Sequence, residues 1–186
     1  MDVHEALRGR RTVQRYTGEP VDDEALQRAL GAAHLAPCHK LTWPWRFTVL
    51  GPQTRAWLVD LAVQLKAAKK KDCTPEEVAA GVRARLGSAG VLLAVSQVLD
   101  ADAFRREEDY AATACAIQNL CLSLHADGYG TKWSTGGFTR HPDTYERLGI
   151  DADRERIVGV VLAGTPCAEV KTPPRPELQQ VVRRLA

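Results

Sequence analysis

The stretch DYAATACAIQNLCLSLHADGYGTKW, residues Asp109 to Trp133, decides the fold. Its first part carries Ala111, Ala112, Ala114, Cys115, Ile117, Leu120, Cys121 and Leu124 without a proline or glycine. This spacing predicts one long helix, roughly Arg105 to Ala126, that is apolar almost all the way round. An ordinary surface helix keeps one apolar stripe, whereas a helix with no broad polar face must be covered on every side. The segment is therefore expected in a core or at a subunit interface. Cys115 and Cys121, six apart, point to different faces of it. Gly128 and Gly130 then break the helix, and GYGTKWSTGG (Gly128 to Gly137) begins a strand.

The segments on either side of this helix define its surroundings. GVLLAVSQVL (Gly90 to Leu99) and RIVGVVLAG (Arg156 to Gly164) are continuous apolar runs, which suits strands buried on both faces. WRFTVL (Trp45 to Leu50) is a third strand, closed by Gly51-Pro52. Between them lie helices. Asp2 to Leu7 forms a short one. A second is capped by Asp22, carries Leu26, Ala29, Leu30 and Ala33 at helical spacing, and stops at Pro37. Thr54 to Ala68, Glu76 to Leu86 (capped by Thr74) and Pro142 to Leu148 complete the set, with Lys69 to Pro75 as a solvated loop. The tail PPRPELQQVVRRLA is a proline-stiffened arm suited to packing on another surface. Strands and helices do not follow a clean βαβ series. The expected class is α+β, with a mixed or antiparallel sheet and helices against it, in one domain over residues 1–186.

Composition narrows the function. The chain is 45% hydrophobic and 26% charged, an ordinary globular balance. A formal charge of +2 gives no reason to expect a nucleic-acid partner, so any anion site must be local. The longest apolar run, Val91 to Val95, is far short of the ~20 residues that cross a bilayer. Five cysteines, no CxxC pair and no secretory leader suit reduced thiols in a cytoplasmic protein. Several sites are excluded by spacing. There is no GxxxxGK[ST] and no GxSxG, and Gly128 and Gly130 precede a strand rather than opening a helix after one. The five histidines have no metal-ligand spacing. His34 and His125 read as structural or surface residues. Cys38-His39 invites a nucleophile and base, but sequence neighbours seldom aim side chains at each other, so an inert cysteine is the expectation.

The local charge lies in GRRTVQRY, Gly9 to Tyr16, where Arg10, Arg11 and Arg15 crowd together. Taken alone, this is a solvated helix end, with Arg15 in a surface ion pair. Four segments in order change that reading: RRTVQRY (Arg10 to Tyr16), APCHKLTWPWRF (Ala36 to Phe47), Asp109 to Trp133 as quoted above, and VGVVLAGTP (Val158 to Pro166). Together they resemble the nitroreductase family of flavin enzymes, in its short, minimal branch, over nearly the whole chain.

The resemblance implies an interlocked homodimeric α+β fold with a mostly antiparallel sheet, holding FMN at the subunit interface. It implies reduction by NADH or NADPH and ping-pong transfer to a small acceptor such as a nitroaromatic or quinone. It places Arg10, Arg11 and Thr12 on the FMN phosphate, where guanidiniums and a hydroxyl suit a dianion. It makes His39, and Leu35 four residues before it, flavin contacts. Backbone N–H groups of Trp133, Ser134 and Thr135 are set at the flavin's polar edge. It offers Arg175, with Lys171 second, as a basic residue on the phosphate, and Ser123 to Gly128 as a stretch for the nicotinamide cofactor. Trp45 remains a core residue. Two departures stand out. Gln14 occupies a position where many relatives carry a lysine beside the flavin pyrimidine, which implies a lower flavin potential here. Trp43 replaces a glutamine before Pro-Trp, which leaves open other flavin chemistry, such as reductive dehalogenation or flavin-assisted oxidation, or a non-enzymatic flavin-binding dimer. No catalytic side chain and no metal are implied.

Overall fold

Four strands build the sheet, and the two longest are buried along nearly their whole length. The computed structural model describes residues 1–70 and 72–185, so Lys71 of the expected Lys69–Pro75 loop lies outside it, as does the tail's last residue, Ala186. In chain order the elements are α1 (Val3–Gly9), α2 (Asp23–His34), β1 (Trp45–Val49), α3 (Pro52–Ala67), α4 (Pro75–Val82), β2 (Val91–Val98), α5 (Ala103–Ala126), β3 (Gly130–Ser134), α6 (Pro142–Leu148) and β4 (Glu155–Gly164). The four strands pair in the order β1-β2-β4-β3, and every pairing is antiparallel. β2 and β4, the two apolar runs, are the central strands, and β1 and β3 are the edges.

Side chains alternate across this sheet as strand geometry requires. Leu93, Val95, Val161 and Ala163 face a layer made by α2 and α5. Leu92, Ala94, Val160 and Leu162 face a layer made by α3 and α4. Each buried branched side chain contributes roughly 1.5–3 kcal/mol. Helix α5 turns Ala112, Ala116, Ile117, Leu120 and Leu124 onto the sheet and α2. Its opposite stripe, Ala111, Cys115 and Gln118, is exposed on this chain, while Cys121 is buried. Trp45 is buried, and its indole N–H donates to His34 Nδ1 at 3.2 Å, as a core residue should.

The helix starts follow their capping residues. Asp22 accepts from the Ala25 N–H at 3.0 Å, and Thr74 and Glu77 form a reciprocal capping box. Among the boundaries that differ from expectation, two have a clear physical cause. α3 begins at Pro52, because proline suits the first helical turn. α4 ends at Val82, and Arg83–Gly87 continues as a wider π turn. There Arg85 donates to the Gly81 carbonyl and Ser88 to the Ala84 carbonyl. The Arg55 guanidinium, on α3, donates to the carbonyls of Gly87, Ala89 and Gly90, tying that turn to the start of β2.

Two glycines shape the region beside β3. A bulge between Val95 and Ser96 leaves Val158 as the extra residue of β4. Next to it, a Cβ on Gly159 would collide with the Trp133 indole. A Cβ on Gly130 would collide with Val13. Glycine at both positions is what lets Trp133 and the N-terminal segment close onto the sheet.

Candidate functional site

After α1 the chain runs along the free edge of β3. Thr12 bridges Thr131 in parallel, and the Val13 N–H donates to the Thr131 carbonyl at 3.0 Å. Val13 and Tyr16 are buried while Thr12, Gln14 and Arg15 are exposed, so two side chains three apart pin the segment to the body of the protein. The Tyr16 hydroxyl donates to the Val13 carbonyl at 3.1 Å and fixes the turn, and burial pushes its phenol well above the usual range.

Among the described residues these arginines have no anionic partner. Arg11 donates to Thr172 Oγ1 at 2.8 Å and to the Arg10 carbonyl at 2.9 Å. Among the described residues, neither Arg10, Arg11 nor the expected ion-pair former Arg15 is bridged to a carboxylate. His125, at the end of α5, lies against Gly9, and its Nε2 is buried without a partner among the described residues. Burial, and then the charges of Arg10 and Arg11, lower its pKa.

Strand β3 contributes both of its faces and one edge. In an antiparallel strand, successive residues direct their backbone polar groups to opposite sides. The Thr131 carbonyl points outward to Val13, so Trp133 also points outward, while Ser134 points toward β4. Of the three expected backbone donors, Trp133 therefore faces the open edge and Ser134 faces the ladder. Thr135 is exposed just past the strand. On the α3 and α4 side, Lys132 and Ser134 line a cavity of about 270 Å³ together with Lys66, Lys69 and Arg85. Leu65 and Phe138 supply part of its apolar wall, and no carboxylate lines it among the described residues. Lys132 Nζ donates to Gln14 Oε1 at 2.8 Å. Burial first, then the charges of Arg85 and Lys66, depress the Lys132 pKa.

Leu35 and His39 stand elsewhere. Leu35 follows α2 and is 82% exposed. His39 Nδ1 lies 2.6 Å from Glu108 Oε1, near the N-terminal end of α5. Gly9 and Arg10 sit by His125, seventeen residues further along the same helix. At 1.5 Å per residue this separates His39 from that group by about 25 Å, whereas Leu35 follows Ala32, whose carbonyl accepts from Asn119 of α5 at 3.2 Å. The loop holding His39 is strained, with positive φ at Lys40 (59°), Leu41 (55°) and Trp43 (40°). Each such residue costs on the order of 1–3 kcal/mol. Cys38 and Thr42 offset this. The Trp43 N–H donates to Cys38 Sγ at 3.1 Å, and Thr42 Oγ1 donates to Asp109 Oδ1 at 2.5 Å. Cys38 and His39 thus serve different partners, which agrees with an inert thiol. Arg175 and Lys171 are exposed in the tail.

The structure thus brings Arg10, Arg11, Thr12, Gln14, Trp133, Ser134 and Thr135 to one end of α5 and beside β3, leaves Leu35 and His39 outside that group, and holds Arg175 exposed three residues past Thr172, which accepts from Arg11. Sequence reasoning missed Lys132, Lys66, Lys69 and Arg85. The i,i+3 spacing of Lys66, on α3, and Lys69, just past its end, was the one readable signal.

The sequence model of the nitroreductase family matches residues 7–165. YfhC of Bacillus subtilis, which bears a provisional NAD(P)H nitroreductase name, is 31% identical over 166 residues, 88% of this chain and 84% of the relative. A nitroreductase-like protein from Bacillus cereus superposes with a TM-score of 0.83 at 25% identity, covering 100% of this chain and 96% of that one. A nitroreductase-type protein from Desulfovibrio desulfuricans, crystallised in complex with FMN, gives a TM-score of 0.75 at 27% identity, covering 100% and 98%.

Proposed function

The chain belongs to the nitroreductase family, and from that premise we propose that it is a homodimeric, FMN-dependent oxidoreductase that takes electrons from NADH or NADPH and delivers them to a small acceptor. One observation carries this reading: among the described residues, the half-buried Arg10, Arg11, Lys66 and Lys132 have no carboxylate partner, and they lie beside or beneath β3. Buried or half-buried cations without counter-ions are costly unless an anion joins them. A phosphate ester and a flat heterocycle with a polar rim answer both features.

FMN supplies the hydride exchange when bound, accepting from the nicotinamide and donating to an acceptor such as a nitroaromatic or quinone. Arg10, Arg11 and Thr12 hold the phosphate through charge-assisted bonds. The outward N–H of Trp133 meets the polar rim, with Thr135 just beyond it. Gly130 keeps the N-terminal segment tight against β3, so the phosphate grip and the rim donor share one rigid frame. His39 of the same chain is about 25 Å from that frame, as reckoned along α5, and Leu35 stands exposed just past Ala32, whose carbonyl accepts from Asn119 of that helix. They complete the cleft only from a second copy, arranged so that each copy's loop reaches the other's arginines. The exposed Ala111–Cys115–Gln118 stripe of α5 gives such a dimer its packing face, and the extended tail is the arm that wraps it. No helix is long and apolar enough to cross a membrane among the described residues.

The test is an absorbance spectrum of the purified protein with FMN, before and after NADH or NADPH under anaerobic conditions. The expected result is bound yellow flavin that bleaches on addition of the nicotinamide. Colourless protein that takes up no FMN contradicts the proposal.

A further inference from the structure

Lys132 has an unusual setting for a lysine on an edge strand. Its stem lies in the cavity beneath β3, and its ammonium donates to Gln14 Oε1 at 2.8 Å. Gln14 comes from the segment that carries Arg10 to Thr12, so the pair joins the phosphate grip to β3. The cavity's other cations are Lys66, Lys69 and Arg85, and no carboxylate balances them among its lining residues. Next along the strand is Trp133, whose N–H faces the open edge. A flat ligand whose polar rim met that N–H would have the Lys132 ammonium on the neighbouring residue of the same strand. Gln14 is therefore not a neutral amide acting alone, because it presents an ammonium.

We propose that Lys132, positioned by Gln14, is the cation that favours reduced over oxidised FMN in this protein. The inference rests on the FMN reading above and assigns a residue that the sequence did not single out. Its physical basis is simple. Two electrons and one proton leave one added negative charge on the reduced ring system, shared over its pyrimidine side. A fixed ammonium nearby, in a cavity already short of negative charge, lowers the energy of that form more than that of the neutral oxidised ring. Gln14 acts through Lys132, holding the ammonium at the mouth rather than letting it swing into solvent.

The experiment is an anaerobic redox titration of the FMN-loaded protein against a reference dye, alongside FMN binding in the oxidised state. In Lys132→Met, which keeps the apolar stem, the preference for reduced over oxidised FMN is expected to fall about tenfold, equal to a drop of about 30 mV in the two-electron potential. Oxidised FMN should bind nearly as before. Gln14→Ala, at an exposed side chain, should fall about threefold. Adding Gln14→Lys to Lys132→Met should restore most of the potential, because it returns an ammonium to the same mouth from the facing segment. A potential unmoved in both Lys132→Met and Gln14→Ala, with FMN still bound, overturns this inference and leaves the enzyme reading intact. Wild-type protein that binds no FMN overturns both.

Discussion

Arg11 is held in place by neutral groups, spending its donors on a hydroxyl and carbonyls rather than on a carboxylate, and Arg10 forms no ion pair among the described residues. Their charge is thus left for a ligand. Charge-assisted hydrogen bonds contribute about 1.5–3 kcal/mol each, so Arg10→Ala with Arg11→Ala should weaken FMN binding at least tenfold, read by flavin fluorescence. His125 feels the same two charges. Its folded pKa lies below the ordinary value of 6.5, so the unfolded chain takes up the proton first as pH falls. Proton uptake by the unfolded state lowers stability as pH drops through that value, and the loss levels off below the folded pKa. His125→Gln should flatten this part of the melting-temperature profile between about pH 7 and 5. At this scale the arginines were readable because their types and spacing stand together in the chain. Lys132 was not, since the bond that defines it joins residues 118 positions apart.

At the scale of elements, β2 and β4 were legible as continuous apolar runs, and burial on both faces is the physical reason for that pattern. The helix starts were legible where Asp22 and Thr74 cap them. The end of α4 was not, because the π turn after Val82 is set by Arg55 reaching across from α3 to the carbonyls beyond it. The sheet edge is the element that makes the site. Gly130→Ala would press a methyl group against Val13 and Pro166 and push the N-terminal segment off β3. Overpacking of this kind costs about 1–3 kcal/mol. FMN affinity is expected to drop in this variant while the far-ultraviolet circular dichroism of the fold is retained.

For the whole molecule, the α+β class was legible from the order of elements, whereas the strand order β1-β2-β4-β3 was not, because no local signal records which strands pair. The long helix proved only partly enclosed: one stripe of α5 faces outward with Cys115 on it, and the arginine group and His39 sit toward its opposite ends. Those two facts belong together if two chains share each cleft. A chain carrying Arg10→Ala and Arg11→Ala, and a second carrying His39→Ala and Leu35→Asp, should each lose FMN. Mixed in one dimer, they leave one cleft with both lesions and one with none. The most direct measurement is therefore an FMN titration of the refolded or co-expressed mixture, purified as the heterodimer through distinct tags. The account predicts wild-type affinity at half the sites. Wild-type binding by either parent variant, or a heterodimer that binds no better than its parents, would contradict it.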